Sequence, residues 1–148
     1  MITAVDSNIF YDILGNDPEF CQSSQEALQK QHGEGGLIIS PLVFAELLIF
    51  FFKKCECEKA VSSLKEFLQD LGITISTYSE QDYIVAAEAW GKFGGRKEIG
   101  CPKCGATNQV FCSRCKQKLL WRNHILTDFL IGAHAQNNAD GLLTRDRG

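Results

Sequence analysis

The sequence predicts an α/β protein, a three-layer α/β/α domain around a mostly parallel central sheet. Short apolar, partly β-branched runs alternate with longer helical segments, the pattern of strands joined by helical crossovers. Most helical segments carry recognisable start and stop residues. One stretch, rich in glycine, cysteine and lysine, has neither period and reads as an insertion.

The elements follow in order. Ile2 to Val5 reads as a buried strand whose C-terminal end carries Asp6. Asp17-Pro18 marks a helix start, with Asp17 as N-cap and Pro18 at the first helical position. That helix is expected to run to about Gln31, where His32-Gly33-Glu34-Gly35-Gly36 ends it. Leu37 to Ile39 is a second short strand. Ser40 then caps a helix that has Pro41 at its first position and Glu46 in its second turn. A further helix covers roughly Glu58 to Leu71 and is closed by Gly72, and Ile73 to Ser76 is the third strand. Ser79 caps a helix from Glu80 to about Phe93, a loose fit to the Ser-x-x-Glu pattern. The insertion spans residues 95–118. A helical pattern resumes near Asn123 and continues to Asn138, and Gly141 to Thr144 is the last strand, followed by Asp146.

Composition bounds the class. At 148 residues, 45% hydrophobic and 22% charged, the chain is one folded domain with room for a core and a small accessory element. The longest apolar run, Leu42 to Phe52, is too short for a membrane span and has Glu46 in its middle. The N-terminal residues lack the basic and long apolar regions of a secretory signal, so a cytoplasmic protein without a membrane partner is expected. The aromatic run Phe50-Phe51-Phe52, with Phe44, suits a buried helix that keeps part of its face for a second copy.

Of seven cysteines, four form Cys101-x-x-Cys104 and Cys112-x-x-Cys115. Zn²⁺ needs four tetrahedral ligands, and two such turns supply them, which points to a closed structural site in a reducing compartment. Iron is the alternative metal. Gly105 suits the tight turn that aims backbone N–H groups at sulfur. Cys21, Cys55 and Cys57 read as ordinary thiols. The charge is uneven: eight of the fifteen Lys and Arg lie between Lys92 and Arg122, with Glu98 the only acid there. Such a segment on an acidic body attracts anionic ligands, although a solvated lysine-rich loop has the same composition.

Four acids share a second pattern. Asp6 ends the first strand, Asp146 follows the last, Glu46 lies on the helix after the second strand, and Asp128 opens the late helix. The C-terminal strand ends of a parallel sheet form the crevice where ligands bind. Carboxylates converging there repel one another unless a hard cation such as Mg²⁺ or Mn²⁺ lies between them. Taken singly, each such acid is as well explained as a cap or a surface group.

The strings around these acids are Val5-Asp6-Ser7-Asn8-Ile9-Phe10, Ser40-Pro41-Leu42-Val43-Phe44-Ala45-Glu46-Leu47, Thr127-Asp128-Phe129-Leu130-Ile131-Gly132-Ala133-His134-Ala135 and Gly141-Leu142-Leu143-Thr144-Arg145-Asp146. In this order they resemble the motifs of PIN-domain nucleases, especially the VapC-type toxins of toxin–antitoxin pairs. The resemblance implies a PIN-like nuclease domain over residues 1–148, with a Cys₄ zinc knuckle inserted at 95–118. It implies a metal-dependent endoribonuclease that hydrolyses RNA phosphodiester bonds as the toxin of a type II pair. Asp6, Glu46, Asp128 and Asp146 would hold Mg²⁺ or Mn²⁺, and Asn8 and Thr144 would support that site by hydrogen bonding. The implied partners are RNA, a small antitoxin protein and a second copy in a homodimer. Typical toxins of this family lack the cysteine insertion and continue past the last acid into one more strand, whereas this sequence ends at Gly148. Two other readings stand beside it: a PIN nuclease that processes ribosomal RNA, and a non-catalytic zinc-containing module that binds RNA or protein. In the insertion, Lys103, Arg114, Lys116 and Lys118 are the expected RNA contacts. His124 and His134 flank Asp128, and His134 is expected to be a core or surface histidine with no part in the site, while Trp90 and Trp121 are expected to pack the base of the insertion.

Overall fold

The structure, a computed structural model, describes residues 1–93, 99–100, 104, 106–108, 111–117 and 127–145. Four parallel strands, β1 (Ile2–Val5), β2 (Gly36–Ile39), β3 (Ile73–Ile75) and β6 (Gly141–Leu143), form one sheet in the order β3-β2-β1-β6. Among the described residues six helices cover it: α1 (Ser7–Leu14), α2 (Cys21–Glu34), α3 (Pro41–Phe52), α4 (Cys57–Asp70), α5 (Glu80–Phe93) and α6 (Thr127–Asn138). Between the last two lies a separate antiparallel pair, β4 (Ile99–Gly100) and β5 (Thr107–Asn108).

From β1 the chain steps outward to β2 and then β3, through α1–α2 and α3–α4. It then crosses back, and β6 joins the other side of β1. Parallel crossovers are right-handed, so this reversal puts α1–α4 on one face and α5–α6 on the other. Thr3, Ala4 and Val5 are all buried, as expected of a central strand covered on both sides. The α1–α4 face packs large side chains, among them Phe10, Leu28, Leu37, Ile39, Val43, Leu47 and Leu64. Each is worth about 1.5–3 kcal/mol of burial.

Local chemistry explains the boundaries. The Ser40 hydroxyl accepts from the Val43 N–H at 3.3 Å, and Pro41 opens α3, as expected. Ser79 and Asp82 cap α5 reciprocally: the Asp82 carboxylate accepts from the Ser79 N–H at 2.7 Å, and the Ser79 hydroxyl accepts from the Asp82 N–H at 3.4 Å. Gly72 turns the chain from α4 into β3 with φ +63, a region unfavourable to other residues. Gly35 lies against the N-terminal backbone, where an added Cβ would stand 1.8 Å from the Met1 carbonyl oxygen.

Three expectations are corrected. The sequence reading has no helix directly after β1, yet α1 begins there, because Asp6 caps it and Ile9 and Phe10 bury one face. The next helix starts at Cys21 and not at Pro18: Asp17 accepts from the N–H groups of Glu19 and Phe20 at 2.9 Å each and spends the first residues on a turn. The insertion has strand structure after all, with Ile99 opposite Asn108 and Gly100 opposite Thr107. On α3, Phe44 and Phe51 pack against the core while Ile49 and Phe52 are exposed. No helix among the described residues is long and apolar enough to cross a membrane.

Candidate active site

The reversal of strand order lies between β1 and β6, and the C-terminal strand ends at such a reversal are where parallel sheets bind their ligands. Asp6 follows β1 and Thr144 follows β6, and register holds them together: Val5 pairs with Leu143, and the Asp6 N–H donates to the Leu143 carbonyl at 3.0 Å. One Asp6 oxygen accepts from the Ser7 N–H at 2.7 Å. The other accepts from the Thr144 hydroxyl at 2.8 Å and from the Asn8 side-chain amide at 2.9 Å. Asn8 also donates to the Thr144 hydroxyl at 3.0 Å. The carboxylate is thus fixed in direction by donors on both strand ends.

Glu46 reaches the same region from the second turn of α3. Tyr11, on α1, is near enough to feel both acids. Its hydroxyl donates to the Glu46 backbone carbonyl at 2.7 Å, and its ring packs 6.0 Å from that of Phe50. Burial raises the Tyr11 pKa, and the charges of Glu46 and then Asp6 raise it further, so both acids act on this phenol. One Glu46 carboxylate oxygen, Oε2, is buried and has no hydrogen-bond partner among the described residues. An unpaired buried carboxylate oxygen is costly to leave bare. Such an oxygen is the kind of donor a hard cation takes.

The remaining acids are placed less fully. Asp128 is in the first turn of α6 and exposed. Asp146 lies outside the described residues. No group of three or more His, Cys, Asp or Glu side chains able to hold a metal ion is found among the described residues. The structure therefore brings Asp6 and Glu46 toward one phenol but does not draw Asp128 into a three-acid cluster with them.

Residues the sequence reading passed over bind this region together. Arg145 donates to Asp12 at 2.9 Å, and the Ser24 hydroxyl donates to the other Asp12 oxygen at 2.8 Å. The Arg145 guanidinium lies 4.5 Å over the Phe20 ring, and its backbone N–H donates to the Asn8 side-chain oxygen at 3.2 Å. The segment between Thr144 and Asp146 is thereby pinned to α1 and α2. A buried acid in the apolar string Ile9 to Ile13 is the sequence signal that marks Asp12.

Of the two places expected for His134, core and surface, the structure gives the core, with its Nε2 3.0 Å from the Ser76 carbonyl. Trp90, Phe93 and Phe129 form a cluster with ring centroids 5.3–5.9 Å apart that joins α5 to α6 at the base of the insertion. Trp121 and His124 lie outside the described residues.

In the insertion, Cys101, Lys103, Gly105 and Lys118 lie outside the described residues, while Cys104, Cys112, Cys115, Arg114 and Lys116 are within them. The second Cys-x-x-Cys pair forms a tight turn in which the Lys116 N–H donates to the Cys112 carbonyl at 2.9 Å. Lys116 has φ 59, the left-handed conformation that glycine usually supplies. The N–H groups of Cys115 and Arg114 and the Cys115 thiol hold the Cys112 thiol below its usual pKa. The three described cysteines do not themselves form a metal-holding group. Cys21, Cys55 and Cys57 are free thiols.

Two solved structures share this fold. One is VapBC2 from Rickettsia felis bound to a DNA fragment from its promoter, with TM-score 0.60 and 23% identity, covering 99% of this chain and 89% of that one. The other is VapBC-1 from nontypeable Haemophilus influenzae, with TM-score 0.60 and 17% identity, covering 99% and 87%. The comparison with curated proteins gave no match. The PIN domain matches residues 3–148. The strand order, the carboxylate at the β1–β6 reversal and this match agree: the chain belongs to the PIN-domain nuclease family.

Proposed function

We propose that the chain is a divalent-cation-dependent endoribonuclease and the toxin of a toxin–antitoxin pair. What supports this reading is an Asp6 fixed in direction at the strand reversal, together with a Glu46 whose buried Oε2 has no partner among the described residues, both acids acting on Tyr11. Asp6, Glu46, Asp128 and Asp146 would hold Mg²⁺ or Mn²⁺, with Asn8 and Thr144 keeping Asp6 oriented. When bound, such a cation lowers the pKa of water and neutralises charge on a phosphodiester. The chain's own contribution is the placement of the acids, the Asn8–Thr144 bridge between the two strand ends, and the Tyr11 hydroxyl that ties α1 to the Glu46 backbone.

The insertion would hold one Zn²⁺ through Cys101, Cys104, Cys112 and Cys115. The backbone N–H groups aimed at the Cys112 sulfur support this, because they favour the thiolate that binds metal. Lys103, Arg114, Lys116 and Lys118 would contact RNA phosphates. Both structural neighbours are VapBC complexes, which supports a small antitoxin as a partner. The exposed Ile49 and Phe52 on α3 suit a homodimer contact. A cytoplasmic location follows from this role.

RNA cleavage by the purified protein tests the reading. Mg²⁺ or Mn²⁺ should support cleavage, EDTA should stop it, and Asp6→Asn should reduce the rate by at least about a hundredfold with the fold intact. Cleavage by Asp6→Asn at the wild-type rate would remove the site assignment.

A further inference from the structure

We propose that Tyr78 belongs to the acid site, where its hydroxyl and the Glu46 carboxylate hold one hydration water of the divalent cation between them. This rests on the acid-site reading above and adds to it a residue outside the four motifs.

Tyr78 follows β3 at the same end of the sheet as Asp6. The Ser76 N–H donates to the Ile39 carbonyl at 2.9 Å, which carries the chain past the end of β2, where Ser40 caps the helix bearing Glu46. The ring is held from two sides. His134 meets it edge-on with centroids 5.1 Å apart, and Tyr83 packs at 5.4 Å. His134 is itself fixed to the Ser76 carbonyl. Yet the Tyr78 hydroxyl is buried and, like Glu46 Oε2, has no hydrogen-bond partner among the described residues. No other buried side-chain polar atoms there share that condition. The Ser40 hydroxyl lies near the phenol but outside hydrogen-bonding geometry.

The two atoms have complementary needs. A phenol offers one donor, and an ionised carboxylate only accepts. Water accepts from the first and donates to the second, so one molecule satisfies both. Burial raises the Tyr78 pKa; the Ser40 hydroxyl opposes this, and Tyr83, Asp82 and Glu46 add to the rise, so the phenol remains a donor. Mg²⁺ and Mn²⁺ retain several waters when carboxylates bind them, and groups that orient such waters tune affinity. Tyr11 cannot play this part, because its hydroxyl is already given to the Glu46 backbone. Tyr78 is thus a positioning residue that acts on the cation through its water.

Mn²⁺ affinity measured by calorimetric titration, together with thermal unfolding with and without Mn²⁺, tests the proposal in the wild type, Tyr78→Phe, Tyr83→Phe and Asp6→Asn. Tyr78→Phe should bind Mn²⁺ about tenfold more weakly and gain less thermal stability from it. Its metal-free form should unfold no earlier than the wild type, since removal of an unpaired buried hydroxyl is neutral or stabilising. Tyr83→Phe should match the wild type throughout. Wild-type Mn²⁺ affinity in Tyr78→Phe, beside a clear loss in Asp6→Asn, would overturn this inference alone. Equal Mn²⁺ binding by wild type and Asp6→Asn would overturn the acid-site reading beneath it. A weaker Tyr78→Phe whose metal-free form is destabilised to the same extent would also overturn the inference, because the hydroxyl would then act in packing.

Discussion

The two helical layers of this domain are held by different physics. The α1–α4 layer is closed by large aliphatic and aromatic side chains, with Phe10, Leu47 and Leu64 fully buried. The α5–α6 layer buries small residues, Ala86, Ala133 and Ala135, around a polar knot. There the fully buried Asp82 accepts from Asn137 at 2.7 Å and from Asn138 at 3.3 Å, besides the Ser79 N–H. Asn138 in turn donates to the His134 carbonyl at 2.9 Å. The difference bears on the site, because Asp6 and Glu46 stand on the apolar layer and Asp128 on the polar one. Apolar packing is indifferent to pH and tolerant in direction, whereas a satisfied polar network fixes one geometry and depends on a charge. The helix carrying Asp128 is therefore set precisely in place but conditionally.

The largest effect should come from the apolar layer. Phe10→Ala should cost about 3–5 kcal/mol in chemical denaturation, with little dependence on pH between neutral and mildly acidic conditions. A cost below about 1 kcal/mol would mean that the Phe10–Phe67 contact, at 6.1 Å, can collapse around the gap and that this layer is no stiffer than the other.

A smaller and pH-dependent effect should come from Asp82. Asp82→Ala leaves several donors without their acceptor and should cost about 1–3 kcal/mol. Burial pushes this carboxyl up, but the Ser79 N–H, Asn137, the Ser79 hydroxyl and Asn138 outweigh it and hold the pKa below the usual range. A folded-state pKa below the unfolded one favours folding while the group is charged. The contribution is therefore complete above the usual carboxylate pKa of about 4 and fades as pH falls through and below it. Asp82→Asn should flatten the acid limb of the stability profile; an unchanged limb would remove Asp82 from the comparison.

The two layers also differed in how readable they were. Strand runs such as Leu37 to Ile39 and cap signals such as Ser40-Pro41 are local, and the sheet and most helices follow from them. Helix α1 escaped because its cap, Asp6, is also the acid of the site, so one residue carries two signals. Asp6, Glu46, Asn8 and Thr144 stood out through ordered motifs. Tyr11, Tyr78, Asp12 and Arg145 did not, since their partners lie far away in sequence: Asp12 meets Arg145 across the whole domain. The Asp82 knot was half legible, for Ser79-x-x-Asp82 is a local pattern while Asn137 and Asn138 arrive from another helix.

The insertion extends the comparison to a region where metal is expected to stand in for packing. Removing zinc with a chelator, or changing Cys112 and Cys115 to serine, should free the segment between α5 and α6 to proteolysis. Global stability should change by less than about 0.5 kcal/mol, because the aromatic cluster of Trp90, Phe93 and Phe129 closes the base without it. A large loss of global stability would show that α6 depends on the insertion for its place. Elemental analysis finding neither zinc nor iron would remove the metal altogether.

The smallest expected effect concerns charge. Arg114 and Lys116 are exposed on the second cysteine turn, and neither side chain has a metal-ligating group. Each Lys or Arg that meets a phosphate releases about one counterion, so changing Arg114, Lys116 and Lys118 to alanine should lower the salt slope of RNA binding by about 2 to 3. Zinc content and thermal stability should not change. Affinity at moderate salt should fall several-fold, and the difference should shrink as salt rises, because the lost interactions are screened first. An unaltered slope would show that the basic segment does not touch RNA. The polar layer would then contribute only Asp128 to substrate handling, and the charge of the insertion would be left for a protein partner.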